Sequence, residues 1–234
     1  MHKNRVNSIL SLAGQSVLIC SPQNLFYFSG FTGGEGYALL TPLSAYLFVD
    51  GRYTLQAKRQ ASDFKVVTFD KKPLSFILEK IKEQDIKTLA FEDNFVTVSL
   101  MESFKEALGC DFVPLQNKVS ILRRKKDFSE IAKIKEAVRL ADSAYSHIIN
   151  CIKPGMTEQA VASILEYYMR KNGAEKTSFD TICASGYRSA WPHGTASDKI
   201  IEKGDFVTLD FGCVLDGYCS DMTRTVCVGR ASSM

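Results

Sequence analysis

Asp216-Gly217 lies between the apolar runs Phe206 to Cys213 and Tyr218 to Val228, and it constrains this chain more than any other feature. An Asp-Gly pair between two β-prone runs is the strongest short-range signal for a two-residue hairpin. With that dipeptide in the turn, Asp210 stands opposite Thr223 and Asp221 opposite Gly212. Side chains alternate along a strand and residues 221 and 223 differ by two, so both aspartates project from one face. The other two-residue turn, Leu215-Asp216, puts the two aspartates directly opposite each other. Either register brings the carboxylates together, and Val207, Leu209 and Phe211 then cover the opposite face.

Two carboxylates about 5 to 8 Å apart on one sheet face repel unless they are protonated, paired with cations or bound to metal. Three accounts stand side by side. The aspartates can be a solvated surface pair with Arg224 as partner, a general acid/base couple, or hard oxygen ligands for Mn²⁺ or Mg²⁺. Strand parity does not choose among them. A further candidate is His193, in the loop Trp191-Pro192-His193-Gly194, where an imidazole is more often exposed and idle than functional. His147 falls on a helix face and His2 at a terminus, and both read as structural or solvated. Cys183 could be paired with His193 as thiol and imidazole, but a buried, inert cysteine is the expectation.

The rest of the chain supplies the context. Ser16 to Cys20, Tyr37 to Leu40, Ala45 to Val49, Phe64 to Phe69 and Thr88 to Phe91 read as strands. Tyr53 to Ala61, Pro73 to Gln84 and Val98 to Leu108 have helical composition, so the first half is a mixed α/β domain. After the basic tetrad Arg123 to Lys126, read as a solvated linker, Asp127 caps a long helix with Glu130 three residues on. Ile131, Ile134, Val138, Ala141, Tyr145, Ile148 and Ile152 form its apolar stripe. Pro154-Gly155 ends it, Thr157 opens a second helix that stops at Asn172-Gly173, and strands follow from Thr181. Thr32-Gly33-Gly34-Glu35-Gly36 reads as a turn between strands, because no phosphate-loop register runs through it.

Composition narrows the function classes. With 45% hydrophobic and 24% charged residues the chain is a packed, soluble one, and a net charge of +3 is too weak to imply nucleic acid. The charge-free run Val6 to Gly34 contains Asn7, Gln15, Pro22 and Asn24, which argues against a spanning helix, and its cysteine-ended apolar stretch lacks a cleavage site. Seven scattered cysteines without a CxxC pair read as reduced thiols of a cytoplasmic protein.

Four ordered blocks carry a resemblance. Ser178 to Gly186 (SFDTICASG), Pro192-His193-Gly194, Gly204 to Gly212 (GDFVTLDFG) and Gly217 to Thr225 (GYCSDMTRT) closely resemble the Xaa-Pro aminopeptidases and Xaa-Pro dipeptidases, metallopeptidases of the pita-bread fold. Upstream, Asn24 to Phe31 and Phe48 to Thr54 look like the creatinase-type N-terminal domain of that family, so the resemblance runs from Ser16 to Gly229. It implies an α/β creatinase-type domain over residues 1–122, followed over 127–234 by the first part of an α+β pita-bread catalytic domain. It further implies two divalent ions, usually Mn²⁺ with Co²⁺ or Zn²⁺ as alternatives, with Asp210 and Asp221 matching the first two ligands. His193 matches the histidine that holds substrate and steadies the transition state. A metal-activated water would attack the carbonyl of an Xaa-Pro bond in a proline-containing peptide. The family's first domain contributes to homodimer contacts and shapes the way in to the site.

The family's other ligands, a histidine and two glutamates, lie beyond the second aspartate, and no such set follows Asp221 here. Arg230 to Met234 does not resemble the end of a complete domain either. The chain is therefore expected to be the front portion of a longer enzyme, binding metal weakly and hydrolysing little by itself, with an apolar sheet face and edge left bare. A non-catalytic dimerisation or binding module is the alternative. Creatine-type C–N hydrolysis is less favoured, because a metal-free relative would not need the aspartate pair.

Overall fold

Short strands that are apolar on both faces build the first half of the molecule. In the computed structural model, which describes residues 2–230, the chain divides into two compact units, Met1–Lys125 and Lys126–Met234. The expected unfinished ending falls largely outside the described residues. In the first unit, α1 (His2–Ala13), β1 (Ser16–Ile19), α2 (Pro22–Ser29), β2 (Tyr37–Leu40) and β3 (Ala45–Asp50) are followed by α3 (Thr54–Gln60), β4 (Lys65–Phe69) and α4 (Pro73–Glu83). Then come β5 (Thr88–Phe91), α5 (Val98–Leu108), β6 (Asp111–Pro114) and α6 (Lys118–Arg124). The six strands form one mixed sheet in the order β4-β3-β2-β1-β5-β6. Val17, Ile19, Leu40, Leu47 and Val49 face one apolar cluster with Ile9 and Phe28 of α1 and α2. Their strand neighbours Leu18, Leu39 and Phe48 face a second cluster with Ile77 and Phe104 of α4 and α5. Helices on both faces thus explain why these strands read as continuous apolar runs.

Several elements differ from the sequence reading. α1, α2, β6 and α6 are not in the sequence reading, since α2 and most of α1 lie in the charge-free run and the other two are short. The glycine-rich segment joins a helix, α2, to β2 and is not a link between strands. Gly36 there has φ +144° with Phe48 O only 2.5 Å from where a Cβ would stand, so close backbone approach explains the glycine. The basic tetrad is no plain linker: Arg123 and Arg124 close α6, and the Arg123 guanidinium donates to Asn24 Oδ1 at 3.0 Å.

The second unit contains α7 (Phe128–Ile148), α8 (Glu158–Lys171), β7 (Lys176–Thr177), β8 (Ile182–Ser185), β9 (Phe206–Phe211), β10 (Cys213–Leu215), β11 (Tyr218–Cys219) and β12 (Met222–Cys227). Asp127 and Glu130 form the reciprocal capping box of α7, and the Thr157 hydroxyl accepts from Ala160 N at 3.1 Å to cap α8. The buried stripe of α7 lies to one side of the expected one. Ala137, Leu140, Ala141, Ala144 and Ile148 are buried, whereas Ile131 and Val138 are 39% and 40% exposed. Three alanines on one side let the helix settle closely against its neighbours there, which outweighs the larger side chains one position away.

The strands form two three-stranded sheets, β12-β9-β8 and β11-β10-β7. Thr223 pairs with Asp210 and Met222 with Phe211, while Val214 pairs with Cys219 beyond them. Asp216 and Gly217 both have positive φ, 49° and 76°, as a primed two-residue turn requires, so the first of the two registers is the one adopted. The hairpin is not one ladder, however. Gly212 interrupts it between β9 and β10, and Ser220 and Asp221 between β11 and β12.

Candidate metal and catalytic site

Alternation along β9 separates a buried face from an open one. Val207, Leu209 and Phe211 are fully buried against α7 and α8, whereas Phe206, Thr208 and Asp210 point the other way. On the paired strand, Thr223 and Thr225 sit directly opposite Asp210 and Thr208 and share that open face. The Thr223 hydroxyl donates to Asp210 Oδ1 at 2.8 Å, and the Thr208 and Thr225 hydroxyls bond each other at 3.1 Å. Asp221 is exposed between two inward residues, Ser220 and Met222, which puts it on the face of Asp210. It immediately precedes Met222, the first residue of β12 paired with β9, so it stands at the end of the ladder that holds Asp210 and Thr223.

The expected bare apolar face is not found among the described residues. On the open face β9 and β12 present threonine and aspartate, with Phe206, 51% exposed, the large apolar exception. Arg224 is no partner for the carboxylates. It lies opposite buried Leu209, donates to Thr223 O and packs over Tyr145, and no ion pair joins it to either aspartate among the described residues.

His193 sits in an exposed loop between a 3₁₀ turn (Gly186–Ala190) and Thr195, which bridges to Ile182 at the free side of β8. Ile182 also pairs with Asp210, and Ala184 with Thr208. Residues directly opposite share a face, so Ile182 and Ala184 belong to the open one. They are nevertheless buried, because the loop covers them: a Cβ on Gly194 would come within 2.8 Å of Ala184 Cβ. The imidazole loop and the carboxylates therefore share one side of the sheet. Cys183 faces the core instead. Burial, and then the Glu158 charge, push its thiol up to about 12, in keeping with a buried, inert cysteine. His147 stacks on Tyr168 at 4.5 Å and His2 lies against Tyr27 O at 3.3 Å.

A group that the sequence reading missed is Glu158, fully buried at the first turn of α8. Its Oε1 accepts from Ser185 N and Oγ, and its Oε2 from Ser197 N and Oγ and from Arg188 Nε. Burial alone would raise its pKa, but the hydrogen bonds from Ser197 and Ser185 outweigh that and leave it lowered. A glutamate beside a helix cap reads as ordinary first-turn chemistry. The only hint lay in Ser185, Arg188 and Ser197 flanking the histidine.

Two hard carboxylate oxygen donors on one open face fit a divalent cation that prefers oxygen. Among the described residues no hydrogen bond occupies Asp210 Oδ2, while Thr223 turns the group through Oδ1. No third His, Cys, Asp or Glu among the described residues joins them in a group able to hold an ion, so the donor set fits as a partial one. No described helix is long and apolar enough to cross a membrane.

Residues 132–234 match metallopeptidase family M24, and residues 11–125 match the creatinase/prolidase N-terminal domain. An Xaa-Pro dipeptidase of Pyrococcus furiosus is 41% identical over 215 residues, covering 91% of this chain and 60% of the relative. Among solved structures, an Xaa-Pro dipeptidase from Bacillus anthracis superposes with a TM-score of 0.95 at 41% identity over 99% of this chain and 66% of that one. A prolidase from Pyrococcus furiosus gives 0.86 at 38% identity, with 96% of this chain and 70% of that one covered. The chain spans 60–66% of the length of three curated relatives that it matches.

Proposed function

This chain belongs to metallopeptidase family M24, joined to a creatinase/prolidase N-terminal domain, and from that premise we propose that Asp210 and Asp221 are metal ligands of an Xaa-Pro peptidase. The observation that carries the reading is the pair of carboxylates on the open side of a sheet whose other side is core, with the His193 loop on the same side. The reaction is release of the first residue from a peptide with proline in second position. Residues 1–122 are assigned to the creatinase-type part and 127–234 to the catalytic part.

Divalent ions, Mn²⁺ in this proposal, supply Lewis acidity and acidified water for amide hydrolysis. The chain's own residues do the rest. Asp210 and Asp221 offer hard oxygens, and Thr223 fixes the rotamer of Asp210. His193 presents a ring N–H that can donate to the oxygen of the scissile carbonyl as negative charge builds there. Names of the relatives, Xaa-Pro dipeptidase and prolidase, support proline peptides as substrates. Seven unpaired thiols support a cytoplasmic setting, and the family resemblance supports a homodimer.

Two carboxylates carry at most two negative charges against four on two divalent ions, so these residues alone hold metal weakly and turn over little. The same donor count favours a second reading, a dimerisation or binding module without catalysis. Titration calorimetry with MnCl₂ and hydrolysis of an Xaa-Pro-Yaa tripeptide test both. Weak Mn²⁺ binding that disappears in Asp210→Ala and in Asp221→Ala is expected. Binding indifferent to either substitution overturns the ligand assignment, and brisk turnover by this chain overturns the argument from donor count.

A further inference from the structure

The loop that carries His193 has no regular structure between Trp191 and Phe206, yet it lies in a defined place on the sheet. Something must fix it. We propose that buried Glu158 and its half-buried partner Arg188 are the positioning device for His193, one carboxylate pinning the loop at both ends and the guanidinium bracing its middle. Glu158 and Arg188 are positioning residues, since their polar contacts run to each other and to the loop.

The geometry divides the work between the two carboxylate oxygens. Oε1 takes Ser185 N at 2.7 Å and Ser185 Oγ at 2.9 Å, where the chain leaves β8. Oε2 takes Ser197 N at 3.1 Å and Ser197 Oγ at 2.7 Å, where the chain returns. The eleven-residue excursion between those serines is thus closed on a single side chain that is itself anchored by a helix. Arg188 Nε bonds Glu158 Oε2 at 3.1 Å, while its terminal nitrogen donates to Thr195 O at 2.7 Å. Its guanidinium also lies 4.6 Å from the centre of the Trp191 ring, and Trp191 N donates back to Arg188 O at 2.9 Å. Trp191 and Thr195 flank His193 by two residues on either side, so both shoulders of the histidine are held by one arginine. All the groups around Glu158 are donors, which only a charged carboxylate can accept in full; an amide would turn an NH₂ toward an N–H. Such fully satisfied, charge-assisted networks fix one geometry.

That His193 serves hydrolysis rests on the function proposed above, but its placement by Glu158 and Arg188 does not, and the test keeps the two apart. Trp191 is the chain's sole tryptophan and His193 one of three histidines, so the loop has its own reporters. In the whole chain, Glu158→Gln and Arg188→Ala are each expected to red-shift Trp191 emission and make it more quenchable by acrylamide. Each should also move the His193 ring resonances while those of His2 and His147 stay put. Arg188→Lys, which keeps the charge but not the fork, should restore the pairing with Glu158 only and leave the Trp191 shift partly in place. Folded variants, by far-ultraviolet circular dichroism, whose Trp191 and His193 signals match the parent overturn the proposal. Movement of all three histidines together overturns it as well, since that is general loosening. Should Glu158→Gln not fold, Arg188→Ala near the surface decides by the same readings. Failure of the metal reading appears separately, as Mn²⁺ affinity unchanged by Asp210→Ala.

Discussion

Two sheets in one chain are finished differently. The central strands of the first unit, such as β1 with all four residues buried, are packed on both sides, whereas β9 alternates, with Val207, Leu209 and Phe211 inside and Thr208 and Asp210 outside. The first sheet spends both faces on packing, and the second keeps one for polar side chains. The lesson is that a strand's pattern of burial marks which sheet can carry chemistry: only a face not needed for the core can hold two like charges side by side.

The largest test of that contrast is Phe48→Ala in the doubly packed sheet. Removing a fully buried ring should cost about 3–5 kcal/mol, read as a lower denaturant midpoint. A cost under about 1 kcal/mol would mean that the first sheet is no more tightly packed than the second.

Next comes Glu158→Gln, which leaves buried donors without their charged acceptor and should cost about 1–3 kcal/mol. The same carboxylate gives the second unit an acid limit. Its folded pKa lies below that of an unfolded glutamate, so its stabilisation is complete above the ordinary carboxylate range and is lost as pH falls through the lowered value. Asp205, lowered because bonds from Lys199 and Glu202 N outweigh its burial, adds in the same direction. Thermal melts of the parent between neutral pH and pH 3 should fall with acid, and Glu158→Gln should flatten part of that slope. An unchanged slope would remove Glu158 from the account.

On the open face the effects shrink. Asp210→Asn relieves a like-charge neighbour and keeps an acceptor for Thr223, so stability should stay level or rise by up to about 1 kcal/mol while Mn²⁺ affinity drops. Loss of stability would show that this face is structural after all. Thr223→Val should lower Mn²⁺ affinity by about 10–100-fold through the freed Asp210 rotamer, with little change in folding. Smallest of all, Thr225→Val should shift the melt by no more than about 0.5 kcal/mol.

Much of this was legible in the residues because local chemistry dictates it. Asp216-Gly217 marked the hairpin and left two registers, and the positive φ at both positions selects the one that pairs Asp210 with Thr223. The caps Asp127 and Thr157 were readable for the same reason, as each is a short polar side chain meeting nearby backbone N–H groups. What stayed hidden depends on partners far along the chain. α1 was hidden because its apolar groups Val6, Ile9, Leu10 and Ala13 gain meaning only against the distant strands and helices they pack on. The true inner side of α7 was masked by alanines, which carry weak apolar signal but permit close approach. Glu158 acquires its partners 27 to 39 residues downstream, a distance no local pattern reports.

Gly212 sets a tolerance for the whole hairpin. A Cβ there would fall 1.9 Å from Ser220 O, so the two chains touch through bare backbone at the point where the ladder changes sheets. The gap between residue 210 on one strand and residue 221 on the other is therefore gauged by main-chain atoms. Neighbouring side chains can drift over evolution without retuning it, whereas any replacement of this one hydrogen atom would force the strands apart.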